Sequence, residues 1–494
     1  MRRVSHWVDN KHVDWPTDNW GDIYDPATGQ VQAQVALAGW EQVDAAVLSS
    51  KAALATWRDV SLAKRTRIMF KFRDLVSEHS DEIAEMLVSE HGKVFSDALG
   101  EVQRGLEVIE FACGIPQLIK GEFNENVSTA VDTHSIRQPV GIVAGITPFN
   151  FPAMVPMWMY PIAIACGNVF LLKPSEKVPS PAMFPAELFA AAGLPDGVLN
   201  VIHGAKGAVD AILQHSDIGA VSFVGSTPVA RYVYEQGTAS GKRVAALGGA
   251  KNHMVVLPDA DMDLAADAAV SAAFGSAGER CMAISVLVAV GDAADRLMPR
   301  IEDRIEKIRV AAGMEDGAEM GPLITAQHRD KVAGYIDTGL EEGATLLADG
   351  RDLVKNDGFF VGPTLFDDVT VDMKIYKDEI FGPVLSTVRV GTYDQAMKLI
   401  DDSPWANGVA IFTNDGGAAR KFQNEVQVGM VGVNVPIPVP VAYHSFGGWK
   451  NSLFGDARMY GVEGVNFYTR LKVITTRWPD PAHRGVDLGF PQMT

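Results

Sequence analysis

Cysteine is scarce in this chain, with three residues, Cys113, Cys166 and Cys281, among 494. An odd number so widely spaced offers no disulfide framework and suits a reducing compartment. Basic charge is also short. Lys and Arg total 43 against 61 Asp and Glu, a formal net charge of -18, and such a field repels nucleic acid and anionic membrane alike. The expected partner is a small molecule, with no nucleic acid and no membrane. Met1 to Asn10 has two basic residues without an apolar stretch behind them, so no secretory signal is expected and the cytoplasm is the expected location. One uncharged run, Phe149 to Leu172, is long enough to span a bilayer. Pro152, Pro156, Pro161 and Gly167-Asn168 interrupt it and Lys173-Pro174 ends it, which predicts a buried helix, a turn and a buried strand instead.

Several catalytic signatures are missing as well. The chain has no H-E-x-x-H, no zinc-spaced Cys/His cluster, no G-x-S-x-G elbow and no G-x-G-x-x-G fingerprint. Metal catalysis, α/β-hydrolase chemistry and a standard dinucleotide loop therefore lack support, and no metal ligand is assigned.

What is present is the composition of a globular protein, 47% apolar and 21% charged, in a chain too long for one core. Two or three domains are expected. From Glu41 to about Ala112 apolar residues recur three and four apart, as in a succession of amphipathic helices. Thr129 to Arg137 then alternates. Beyond it, short apolar runs at Gly141–Gly145, Val169–Leu172, Val198–Ile202 and Ala220–Val224 are separated by helix-length segments, the pattern of a doubly wound parallel α/β sheet. A second α/β series starts near His253, with strands at Met254–Leu257, Ser285–Val290 and Val409–Phe412. Two lobes with a cleft between them are predicted. Asn466 to Thr475 alternates like an exposed strand free to pair with another subunit.

Four short segments carry chemistry. Thr147-Pro-Phe-Asn-Phe-Pro152 follows a predicted strand, where open α/β sheets place ligands; Asn150 is either an oxyanion donor or an amide satisfying a turn. Lys173-Pro-Ser-Glu176 could grip the ribose hydroxyls of an adenosine, its carboxylate repelling a 2′-phosphate, or it could be a solvated turn. Phe223-Val-Gly225-Ser226-Thr227 runs from strand to helix and could offer backbone donors to a pyrophosphate. In Gly275-Ser-Ala-Gly-Glu-Arg-Cys281 the thiol follows a Gly-rich turn beside Arg280, a cation expected to lower its pKa and make it a nucleophile. The plainer fate of a cysteine, a small buried hydrophobe, fits Cys113 and Cys166.

In this order the segments resemble the aldehyde dehydrogenase superfamily across nearly the whole chain, together with Leu247-Gly-Gly249, Gly278-Glu-Arg-Cys281, Glu379-Ile-Phe-Gly-Pro383 and Ser445-Phe-Gly-Gly448. The resemblance implies two doubly wound Rossmann-like lobes plus a small β oligomerisation element, in an α/β fold. It implies an NAD-binding domain over 1–120 and 141–252, a catalytic domain over 253–445, and a bridging element over 121–140 and 446–494. It makes Cys281 the nucleophile, with Asn150 and the Cys281 backbone N–H as oxyanion hole. It assigns NAD to Phe149, Lys173, Ser175, Glu176, Gly225, Ser226, Leu247, Glu379 and Phe381, and a homodimer or homotetramer to the chain.

Hydrolytic members of the superfamily carry a Glu just before Leu-Gly-Gly, and here that position is Ala246, which cannot act as a base. The variant Leu247-Gly-Gly-Ala-Lys-Asn-His253, with Gly278-Glu-Arg-Cys-Met-Ala283 and Asn434-Val-Pro-Ile-Pro-Val439, resembles the CoA-acylating methylmalonate-semialdehyde dehydrogenase group. That implies coenzyme A as acyl acceptor and co-substrate, and Arg104 and Arg280 as ligands of a substrate carboxylate. A hydrolytic aldehyde dehydrogenase using another base, or a non-catalytic binding protein on this scaffold, remain as alternatives. Ser445 to Asp456 departs from the group's pattern and leaves the aldehyde open.

Overall fold

The computed structural model describes residues 1–354 and 357–478. The 479–494 portion of the expected bridging element lies outside the described residues.

The helical pattern after Glu41 resolves into α1 (Trp40–Trp57), α2 (Leu62–Glu78), α3 (Ser80–His91) and α4 (Phe95–Cys113). Each turns an apolar stripe inward; α2 buries Ile68, Met69, Phe72 and Val76, and the Phe72 ring stacks on Phe189 at 4.0 Å between centroids. Ser61 starts α2 by accepting the Lys64 N–H, and α3 stops at Gly92, whose φ of 92° suits a residue without Cβ.

The first large sheet has five parallel strands at its centre, Ile142–Ile146, Val169–Lys173, Leu199–Val201, Ile218–Val224 and Arg243–Leu247. The chain winds outward from Ile142–Ile146 in one direction, then returns to its other side at Ile218–Val224. The strand order therefore reverses between those two, and the crevice beyond their carboxyl ends is where such sheets bind ligands. Antiparallel Leu453–Phe454 closes one edge and His6–Val8 with Lys11–Val13 the other. The uncharged run after Phe149 folds as expected, into the wholly buried helix Met154–Ala165 and the strand Val169–Lys173. Pro161 sits inside that helix without ending it.

Gly248 to Lys251 carries the chain directly into the second sheet, which is ordered Thr345–Ala348, Thr364–Asp367, Val384–Val390, Ile284–Val290, Asn252–Val256, Gly408–Phe412, Met430–Val433. All its pairs are parallel except the first. Two separate buried clusters, one under each sheet, meet the expectation of two lobes.

A three-stranded antiparallel sheet of Phe123–Ser128, Val131–Pro139 and Thr469–Arg477 stands apart. One expectation is corrected here: Asn466, Phe467 and Tyr468 finish the helix Gly461–Tyr468, and the strand begins only at Thr469. Phe467 and Tyr468 are buried, and alternation over so few residues does not distinguish a helix end from a strand. Leu471 and Val473 on that strand are 56% and 61% exposed. Among the described residues no helix is long and apolar enough to cross a membrane.

Candidate active site

The site forms where the reversal point of the first sheet faces the second. Asn150 lies in the turn after Ile142–Ile146 and is 3% exposed. Its backbone carbonyl accepts from Lys93 Nζ at 2.8 Å, and Lys93 also reaches Glu101 at 2.6 Å, with both side chains wholly buried. Glu101 in turn accepts from the N–H groups of Ala153 and Met154, at 2.9 and 3.1 Å, at the start of the helix Met154–Ala165. The carboxylate thus satisfies donors that a helix N-terminus leaves free. Lys93 and Glu101 hold the turn from α3–α4, far away in sequence. The Asn150 side chain is left to point across the cleft, where Nδ2 donates to the carbonyl of Glu279 at 2.9 Å. A primary amide carries two N–H donors, so the second remains for a substrate oxygen.

Cys281 comes from the second lobe. It follows a tight turn in which Ser276 and Ala277 adopt φ of 53° and 50° and Gly278 72°. A Cβ at Gly278 would run into the carbonyl of Gly382, so glycine permits that approach. The carbonyl of Cys281 accepts from Asn252 Nδ2 at 2.9 Å and Asn407 Nδ2 at 3.2 Å. The expected lowering of the thiol pKa by Arg280 is not what the structure shows. Burial, reinforced by the nearby Glu379 carboxylate, pushes the Cys281 thiol up to about 12. The Arg280 guanidinium turns away to Asp97, at 2.5 Å, and lies against the backbone of Gly275, where a Cβ would be 2.6 Å from Nη1.

Cys281, Arg280 and Arg104 line one chamber of about 420 Å³ whose other walls include Phe151, Met154, Trp158, Ile437, Val439 and Phe446. Arg104 projects from α4, donating to Glu107 at 2.6 Å and to the carbonyl of Pro440 at 2.7 Å. Val108, Ile109 and Ala112 of the same helix are buried. The chamber is mostly apolar, with Gln103 and the two guanidiniums on its wall and its carboxylates, Asp97 and Glu101, already paired with Arg280 and Lys93, which suits a small molecule with an anionic tail.

The residues expected at a cofactor flank the reversal point. Lys173 ends one neighbour of the central strand and Ser175 and Glu176 follow it, while Gly225 and Ser226 follow the other. Lys173 Nζ donates to the Gly204 carbonyl at 2.8 Å and meets Glu176 at 3.4 Å; the Glu176 side chain is 34% exposed, not buried. Ser175 Oγ accepts from the Lys177 N–H at 3.3 Å. Ser226 begins the helix Thr227–Ala239 without a side-chain cap, and such an uncapped start suits a phosphate. Leu247 is buried at the end of its strand. Glu379 accepts from the Ala250 N–H at 2.9 Å, in space that a side chain at Gly249 would fill. Phe381, at φ of 61°, packs edge-on against Phe149 at 5.9 Å. These residues make an open cradle with ring faces, a helix start and two carboxylates, a donor set that fits a dinucleotide.

Asp97, Lys93, Glu101, Asn252, Asn407 and Glu279 were not singled out by sequence reasoning. Nothing in a lone charged residue on an amphipathic helix separates a buried partner from a solvated one. Asn252 and Glu279 stood within segments that carry the resemblance, and Glu101 in Gly100-Glu-Val-Gln-Arg-Gly105 beside Arg104, without a role of their own. Ala246 is 0% exposed inside its strand, so that position presents no base to the cleft.

The aldehyde dehydrogenase family pattern matches residues 15–474. The chain belongs to the aldehyde dehydrogenase family. A malonate-semialdehyde dehydrogenase of Pseudomonas aeruginosa is 54% identical over 477 residues, 96% of each chain, and malonate-semialdehyde dehydrogenase 1 of Geobacillus thermodenitrificans is 51% identical over 480 residues, 97% of this chain and 99% of that one. Among solved structures, a Sinorhizobium meliloti protein described as a methylmalonate-semialdehyde dehydrogenase, complexed with NAD, superposes with a TM-score of 0.96 at 54% identity, covering 97% and 99% of the two chains. The methylmalonate-semialdehyde dehydrogenase of Oceanimonas doudoroffii gives 0.96 at 52%, covering 98% and 99%.

In this aldehyde dehydrogenase the Lys93–Glu101 pair is the test of how the site is held. Removing one partner of a buried ion pair strands the other, at a cost of about 3–5 kcal/mol. Lys93→Met is therefore expected to lower stability by that amount in urea unfolding and to depress kcat through Asn150. Unchanged unfolding would show that the pair does not hold the turn.

Proposed function

We propose that this aldehyde dehydrogenase oxidises malonate or methylmalonate semialdehyde with NAD and passes the acyl group to coenzyme A. The observation that carries the reading is the convergence of Arg104 and Arg280 on the chamber that holds Cys281. A short aldehyde with a carboxylate would place its two ends on the thiol and the guanidiniums, and the names of the relatives above agree on a semialdehyde of that kind. Phe149, Lys173, Ser175, Glu176, Gly225, Ser226, Leu247, Glu379 and Phe381 would hold NAD. Bound there, NAD supplies a hydride acceptor.

Cys281 Sγ gives up its proton to water and adds to the aldehyde carbon. The resulting oxyanion rests on the free N–H of Asn150 and on the Cys281 backbone N–H, donors fixed before the reaction begins. Loss of hydride leaves a thioester on Cys281. The C–C bond to the carboxylate, β to the thioester carbonyl, can then break. Carbon dioxide leaves, the electron pair is delocalised onto the carbonyl, and a proton restores the carbon. The coenzyme A thiol attacks, its proton is lost, and acetyl- or propionyl-CoA is released with Cys281 regenerated. The lobe around the first sheet is the NAD-binding part and the second the catalytic part, and the free edge of Thr469–Arg477 is the proposed contact of a homodimer or homotetramer.

Replacing Arg104 or Arg280 by Leu removes a charge-assisted contact of about 1.5–3 kcal/mol. Either change should reduce kcat/KM for the semialdehyde about ten- to a hundredfold while sparing propanal. Equal losses on both substrates would make the arginines structural.

A carboxylate on the adenosine ribose disfavours a 2′-phosphate. NAD should accordingly exceed NADP in kcat/KM, and Glu176→Gln should narrow the ratio; equal constants in the unaltered enzyme would remove Glu176 from the ribose.

With Ala246 in place of a base, water should discharge the thioester slowly, by about a hundred- to ten-thousandfold. Rapid mixing with NAD and aldehyde alone should give one NADH per Cys281 and then a slow phase that coenzyme A accelerates, with no burst in Cys281→Ser. Fast steady release of free acid without coenzyme A would identify a hydrolytic enzyme.

A further inference from the structure

Behind the cofactor cradle lies a group of buried polar atoms that the reaction above does not use. Glu279 is 0% exposed. Its Oε1 accepts from the Ile324 N–H at 3.3 Å, and its Oε2 has no hydrogen-bond partner. His91 Nε2 stands 3.7 Å from one carboxyl oxygen and His328 Nε2 3.6 Å from the other. Both ring nitrogens of His91 are also unpartnered. Orphaned buried polar atoms are costly and call for an explanation.

The two imidazoles back the two aromatic residues of the cradle. His91 stacks on Phe149 at 6.2 Å, and His328 packs on Phe381 at 6.4 Å while its Nε2 donates to the Phe381 carbonyl at 2.7 Å. Charge on Glu279 would therefore be linked to whatever occupies the cleft through an imidazole and an aromatic ring. We propose that His91, Glu279 and His328 form a proton-holding cluster, with Glu279 as the acid, which gives up a proton when an oxidised nicotinamide with its positive ring is bound and regains it when the ring is reduced. The proposal rests on the reading of Phe149 and Phe381 as cofactor residues.

Burial pushes the Glu279 carboxyl up to about 8, and the same burial holds His91 well below the usual imidazole range and His328 at about 4. Near neutrality the cluster is thus a protonated carboxyl between two neutral imidazoles, not an ion pair. The other charges facing it are Lys93 beyond α3, Lys177 after the strand Val169–Lys173, and Lys331 beside His328. These are common to both redox states of the cofactor, as is its pyrophosphate. Only the ring charge differs. A positive ring favours the ionised carboxylate, so the Glu279 O–H bond breaks and the proton passes to solvent; a neutral ring lets it return. In a medium of effective dielectric about 20, one such charge moves the equilibrium by about one pH unit. Raising the pH through 7 to 9 should correspondingly strengthen NAD binding relative to NADH by up to about tenfold.

Proton release can be counted by titration calorimetry in two buffers of different ionisation enthalpy, using Cys281→Ser so that the thiol cannot contribute. Near pH 7.5, NAD should release about half a proton per subunit more than NADH, and adding Glu279→Gln should abolish the difference. If the double variant fails to fold, the pH profile of Cys281→Ser decides: the difference must fade below about pH 6 and above about pH 10. Equal proton counts for NAD and NADH, or a difference that survives Glu279→Gln, would overturn the proposal while leaving the cofactor assignment standing. An absence of binding heat for either nucleotide would instead remove the cofactor reading, and this proposal with it.

Discussion

The site hangs on a buried lysine. Lys93 has no solvent to satisfy its ammonium, so its donors must find acceptors in the protein, and they find the Glu101 carboxylate and the Asn150 carbonyl. Each requirement fixes another. Glu101 completes its own hydrogen bonding with the first N–H groups of the helix Met154–Ala165, and Asn150, its backbone held, sends its amide to the opposite lobe. A charged pair in such a place is a poor source of net stability compared with apolar packing. Its effect here is geometric: it makes the strand-end turn, the helix start and the oxyanion donor one unit.

Much of this was legible in the sequence because the signals were long or strongly patterned. The alternation of apolar runs with helical stretches foretold the first sheet and its winding, and the prolines and the Gly-Asn turn separated Met154–Ala165 from Val169–Lys173. Cys281 was singled out from its segment and Arg280 and Arg104 from the resemblance, and the three do line one chamber. The failures have a common physical cause, which is that sequence adjacency is not spatial adjacency. Arg280 follows Glu279 and precedes Cys281, yet its guanidinium turns to Asp97, so the thiol receives little help from its neighbour and is dominated by burial and by Glu379, about a hundred residues away. The same limit hid Lys93 and Glu101. Three residues at the start of the predicted C-terminal strand failed differently, because a short apolar pattern fits a helix end as well as a strand.

The two lobes contribute to the cleft from opposite ends of their sheets. In the first, the functional residues follow the carboxyl ends of strands, as open parallel sheets lead one to expect. In the second, Cys281 precedes Ile284–Val290, and Glu379 and Phe381 precede Val384–Val390, so it is the amino ends that face the cofactor cradle. Both guanidiniums in the chamber are already paired, Arg104 with Glu107 and Arg280 with Asp97. Each retains further donors, and the paired carboxylates keep the cations oriented in a mostly apolar space.

The carbonyl of Cys281 is gripped by Asn252 and Asn407, both on the second lobe, whereas the amide of Asn150 is carried by the first. The nucleophile, with its own backbone N–H, and the side-chain oxyanion donor consequently sit on different lobes, joined at this point by the contact between Asn150 and the Glu279 carbonyl. A change in the spacing of the lobes would alter that contact, while the Asn252 and Asn407 bonds to the Cys281 carbonyl stay within the second lobe. A molecule wedged between the lobes could silence the enzyme in this way while leaving the thiol free to react with an alkylating reagent, so that chemical labelling and catalysis would report different states of the same protein.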